Sequence, residues 1–180
     1  MRFTYRAATV DAVVAAAGAA MFFVISGSAS RTRIVRKIRV SGDTLTTLAV
    51  GSVVVEKWSG SAPSGGTETV LTRVPLDSAF PAAAADGLVQ VYTAAPTEPS
   101  TLDGTIACHR HLWKSSTVVD GAPFADAEFV FGEKKDSNDV SPPGVYLHGV
   151  TESVSLAFGA APASAVTLAV EVEWDEEAGP

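Results

Sequence analysis

Residues 33–40 read Arg-Ile-Val-Arg-Lys-Ile-Arg-Val. A strict period of two separates Ile34, Arg36, Ile38 and Val40 from Arg33, Val35, Lys37 and Arg39, as in a strand with one apolar and one basic face. Ser41-Gly42-Asp43 then supplies turn residues. A second stretch answers it near the other end of the chain. Residues 166–174 read Val-Thr-Leu-Ala-Val-Glu-Val-Glu-Trp, with Val166, Leu168, Val170, Val172 and Trp174 on one face and Glu171 and Glu173 on the other. Opposite charges on neighbouring strands contribute roughly 0.2–1 kcal/mol per pair. The two stretches are therefore expected side by side, with the apolar face of the second toward the core.

Similar signals recur between them. Thr47–Trp58, Thr67–Val74, Leu88–Ala94, Thr105–Trp113, Ala127–Phe131, Val145–Val150 and Ser153–Phe158 read as strands, and Gly51 marks a bulge site. Ser59–Gly66 reads as a hairpin tip. Pro75–Asp86 reads as a crossover loop with a turn of helix over Ala82–Ala85. Asp175–Pro180 reads as a fraying acidic tail. Eight to ten short strands with Gly/Pro turns and no long amphipathic helix predict an all-β chain: a single antiparallel β-sandwich, jelly-roll-like. No fixed-period repeat points to a propeller or solenoid.

The N-terminus decides the domain division. Arg2 and Arg6 followed by the apolar run Val13–Ile25 imitate a secretory leader. Asp11 at the start of that run argues against one, and the run is too short to cross a bilayer, which needs about 20 apolar residues. The expectation is an Ala-rich N-terminal arm over residues 1–20, then a sandwich domain over 21–180. An arm with little core of its own needs a neighbour, so Val13, Val14, Met21, Phe22 and Phe23 are the candidate interface residues.

The chain has 180 residues, 47% of them hydrophobic and 18% charged, enough to bury a core. A net charge of −7 disfavours nucleic acid as a partner, and no membrane span is expected. The single cysteine excludes an intrachain disulfide framework or a cysteine-based zinc cluster.

No catalytic residues, metal ligands or cofactor are expected. His109 and His111 share a strand face, but a metal site needs three or four converging ligands. Cys108, alternating with Ile106 and Leu112, reads as a small buried hydrophobe. No G-x-S-x-G elbow, Walker loop or G-x-G-x-x-G pattern occurs. Asp136–Asp139 reads as Asx turns rather than a calcium loop. Trp58, Trp174 and Trp113 each close a strand and read as caps on the core.

The segment Phe22–Gly42, FFVISGSASRTRIVRKIRVSG, resembles a pattern that recurs in tailed-phage virion structural proteins. There an aromatic strand leads to a Gly-Ser-Ala/Ser element and a basic alternating strand. The resemblance continues through VVVEKWSGSAPSGGTETVLTRVPLDSAFPAAAA, residues 53–85, and LAVEVEWDEE, residues 168–177. It implies a non-enzymatic virion protein, assembled in the host cytoplasm, that decorates or cements the capsid. Its partners would be the major capsid protein or other virion proteins, and it would form a homo-oligomer, a trimer being favoured. It brings no catalytic residues. The alternatives are a head–tail or tail accessory protein, or a carbohydrate- or receptor-binding β-sandwich with an exposed aromatic platform.

Overall fold

The computed structural model describes residues 1–9, 12–14, 21–44, 49–115, 126–131, 144–160 and 166–178. Among them there are thirteen strands and no helix. They are β1 (Arg2–Ala8), β2 (Ala12–Val14), β3 (Met21–Ser26), β4 (Arg31–Thr44), β5 (Ala49–Ser59), β6 (Thr67–Val70), β7 (Val74–Pro75), β8 (Val89–Ala94), β9 (Thr101–Ser115), β10 (Ala127–Val130), β11 (Val145–Leu147), β12 (Ser153–Phe158) and β13 (Val166–Ala178).

The strands form two antiparallel sheets packed face to face, the expected β-sandwich. The first sheet runs β7-β1-β13-β4, with β10 and β11 along the far edge of β4 and β2 beside β13. The second runs β6-β8-β3-β12-β5-β9. A short parallel contact joins them, Asp43–Thr44 of β4 against Lys114–Ser115 of β9. Between the layers lie Val53, Val55, Leu156, Phe23 and Ile25 from one sheet and Val35, Ile38, Val170, Val172 and Trp174 from the other, all at most 1% exposed.

The two stretches that open the sequence reading do lie side by side. Glu171 stands opposite Arg39 and Glu173 opposite Lys37, while Val166, Leu168, Val170, Val172 and Trp174 are buried. The strict alternation of β4, however, breaks. A bulge between Glu173 and Trp174 skips Arg36, so Lys37 faces Glu173 and Val35 faces Trp174. One extra residue exchanges the faces of everything beyond it. Arg33, expected among solvent, is therefore turned inward and has no exposed surface.

Three other expectations change. The arm over residues 1–20 is not an arm where it is described: β1 pairs with β13 from Arg2–Glu177 to Ala8–Glu171, and β2 continues along the same strand. Tyr5 and Ala7 face the core and Arg6 faces water, so β1 carries the alternation of a sheet strand. The acidic end does not fray, since β13 runs to Ala178 with Asp175 and Glu176 buried. Ala82–Ala85 forms no helical turn.

Candidate functional site

One end of the sandwich is sealed around a buried ion pair. Both side chains of the Arg33–Glu176 pair are fully buried. Arg33 Nε donates to Glu176 Oε1 at 3.0 Å, and Trp174 Nε1 donates to the same oxygen at 3.1 Å. Arg31 and the Ala84 amide donate to Oε2 at 2.8 and 2.9 Å. The Arg33 guanidinium lies 5.4 Å from the Trp174 ring, which stacks on Tyr5 at 5.8 Å. Burial lowers the pKa of Arg33, and the charge of Glu176 opposes the shift.

The loop between β7 and β8 straps over this cluster. Arg33 and Arg73 both donate to the Ala84 carbonyl, Tyr5 donates to Pro81, and Arg73 reaches Gly87. Asp86 accepts from the Ser28 hydroxyl and the Ala29 amide, which tie the strap to the β3–β4 turn. Burial raises the Asp86 pKa, but these hydrogen bonds outweigh it and hold the group below its usual value. A cleft of about 380 Å³ lies beside the strap, lined by Val70–Arg73, Ala82 and Ala83. Its guanidinium, Arg73, is already engaged with carbonyls. The cluster closes the sandwich and offers no displaceable group.

The outer face of the first sheet is a ladder of opposite charges. Arg6 on β1 bridges Glu171 and Glu173 on β13, and Lys37 and Arg39 on β4 bridge Glu128 on β10. Nearer the sealed end, Arg2 and Arg36 share Asp175, and Arg2 also holds Glu177. Hydrogen bonds from Lys37 and Arg39 keep the Glu128 pKa low. The five carboxylates in these pairs are matched by five cations.

The outer face of the second sheet differs. Met21, Val24, Trp58, Tyr92 and Ala157 form a small buried cluster on it. Trp58 Nε1 donates to Ser155 Oγ at 2.9 Å and the Tyr92 hydroxyl to Gln90 Oε1 at 3.2 Å. Burial, and next the charge of Glu68, push Tyr92 up to about 12. Burial, and next Glu98, raise the carboxyl of Glu56 on β5.

Among the described residues, no strand pairs with the outer side of β6, or with that of β9 before Lys114. β6 is exposed at all four residues. β9 is exposed over most of Thr101–His109, with Leu102 at 48% and Ile106 at 41%. On the narrow side between the sheets, Val70, Val74 and Leu76 are about half exposed.

Three of the five candidate interface residues are buried. Met21, Phe22 and Phe23 lie in β3 at no more than 1% exposed, so they are core and present no free surface in this chain. Val13 and Val14 pair with Thr167 and Val166 in β2, and their side chains lie outside the described residues. Cys108, expected to be buried, is exposed. His109 meets the edge of Phe129, ring centroids 6.4 Å apart. The side chains of His111 and Trp113, and the Asp136–Asp139 loop, lie outside the described residues. Trp58 and Trp174 are core residues, as expected, and Tyr92 is equally buried. None of these three forms the exposed platform on which a sugar would stack. The sequence reading missed Leu102 and the edge of β9, because Gly104 interrupts the alternation there. The paired strands are also out of simple register at Val55/Glu56 and Lys57/Trp58. Comparison with family models, with curated proteins and with solved structures finds no match.

Proposed function

We propose that this chain is a non-enzymatic structural protein of a tailed-phage particle, a jelly-roll-like sandwich that decorates the capsid lattice. The observation that supports this reading is the pair of open, exposed edges on one six-stranded sheet, β6 on one side and β9 on the other. Exposed strand edges are templates for pairing with another chain, and monomers usually blunt them. Here the docking surface is assigned to these edges and to the apolar side at Val70, Val74 and Leu76, not to Met21, Phe22 and Phe23. The mechanism is avidity: modest contacts repeated over a symmetric lattice raise the effective concentration of each copy. The partner is the major capsid protein or another virion protein, met in the host cytoplasm. The protein itself is a homo-oligomer, with a trimer as first choice.

Light scattering combined with co-sedimentation on purified particles tests the reading. A defined oligomer that sediments at a fixed ratio to capsid protein is the expected result. A monomer that stays in the supernatant at saturating particle concentrations would overturn it.

A further inference from the structure

The edge of β9 has a chemistry that selects its occupant. β5 pairs with one side of β9 from Thr101 to Trp113, with register shifts that leave Asp103 and Ile106 without a partner. Among the described residues, the other side pairs with a strand only at Lys114–Ser115, and His109 touches Phe129 of β10. From Thr101 to Cys108 that leaves a run of outward backbone donors and acceptors, the requirement for strand addition. β6, the opposite edge, is only four residues long, and short edges are poor templates.

Among the described residues, no ion pair reaches the carboxylates around β9. Residues in register share a face: Leu102 stands opposite Trp58, Thr105 opposite Glu56 and Cys108 opposite Val54. Glu56 is therefore next to β9 on the outer face of its sheet. Glu98 lies close enough to raise the Glu56 carboxyl, second to burial. Asp103, on β9 itself, takes a hydrogen bond from Ser59 at 2.7 Å but no ion pair. Lys57 is on the alternate face and reaches Glu152 at 3.6 Å. Glu56 on the outer face and Asp103 on the Ser59 face thus flank the first half of this edge strand, with Glu98 acting on Glu56, beside exposed Leu102 and Ile106. On the outer face of the first sheet, by contrast, Glu128, Glu171, Glu173, Asp175 and Glu177 each have an arginine or lysine.

The geometry points to β9 as a strand-addition site for an extended, basic segment of a partner protein. Its backbone would continue the second sheet past Thr101–Cys108. Its Lys or Arg residues would neutralise Glu56, Glu98 and Asp103, and its intervening apolar residues would cover Leu102 and Ile106. The inference deepens the assembly reading and rests on it only for the existence of a partner.

The test uses two synthetic probes, a capped alternating Lys-Val octapeptide and its Glu-Val counterpart, with the full-length protein. Hydrogen exchange resolved to single amides is read with and without each. The Lys-Val peptide is expected to slow exchange at amides within residues 101–108 and to lose affinity as salt rises. A Glu98→Lys/Asp103→Lys double variant changes two exposed side chains, and unchanged circular dichroism will confirm its fold. It is expected to weaken Lys-Val binding at least tenfold and to improve Glu-Val binding. Equal binding of both peptides, protection confined to β6, or no effect of the double variant would overturn the inference. So would slow exchange, in the protein alone, at those amides of 101–108 that point away from β5, which would show the edge already covered by the chain or by a second copy, the latter visible as a dimer in light scattering. Failure here with normal co-sedimentation on particles would leave the lattice reading standing. Peptide binding by a protein that ignores particles would remove the lattice reading and keep the basic partner.

Discussion

At the scale of single residues, the hardest side chain to replace is Glu176. It accepts from Arg31, Arg33, Trp174 and the Ala84 amide while fully buried. Removing one member of a buried pair strands the other without water, at a cost of about 3–5 kcal/mol. Arg6, half exposed in the charge ladder, belongs to the class of pairs worth about 0–1 kcal/mol. Urea denaturation should therefore show Glu176→Ala losing several times more stability than Arg6→Ala. Equal losses would mean that the strap and its arginines relax without the carboxylate. Nothing in the sequence distinguishes the buried pair Arg33 and Glu176 from the exposed charges around it by type or by neighbours. Arg33 looks like Arg39, and Glu176 looks like part of an acidic tail. What separates them is one bulge at Arg36. A period of two carries side-chain direction only while no residue is inserted, and no glycine marks the insertion.

At the scale of elements, β1 shows what sequence periodicity could and could not reveal. Its alternation, Phe3, Tyr5 and Ala7 against Arg2, Thr4 and Arg6, is present in the sequence. It is short, and its partner β13 stands at the other end of the chain, Arg2 facing Glu177. Local reading therefore attaches it to the alanines that follow. β4 and β13 were legible because they are long, strongly patterned and complementary in charge. The consequence for β1 is specific. Deleting residues 1–9 uncovers Trp174, unpairs one side of β13 and takes the Tyr5 hydroxyl from Pro81. Burying one large apolar side chain is worth about 1.5–3 kcal/mol, against a total of about 5–15 kcal/mol for a typical domain. The truncated chain should lose its cooperative thermal transition, or melt at least 10 °C lower, in circular dichroism. An unchanged melt would restore the reading of residues 1–20 as a dispensable arm.

At the scale of the whole molecule, the decisive feature is that the last strand occupies the middle of a sheet. β13 lies between β1, the first strand, and β4, and the same sheet holds β10 and β11 only through β4. Sheet completion thus waits for the final residues and closes a loop of nearly the whole chain. Loop-closure entropy must be met before such contacts return anything, and folds dominated by distant pairings fold in milliseconds to seconds. The second sheet contains no part of β13, yet its inner face, with Phe23, Ile25, Val55 and Leu156, is covered by the sheet that β13 completes. A chain ending at Ala165 should therefore fail to fold as a whole. It should show no cooperative urea transition and be cut rapidly by protease throughout, while the full chain refolds slowly into a resistant form. A cooperative transition in the 1–165 chain, with protection confined to β3, β5, β8 and β12, would show instead that the second sheet is a folding unit of its own. β13 would then be an added strand, and the open edges of the molecule would have to be counted again with that strand's place among them.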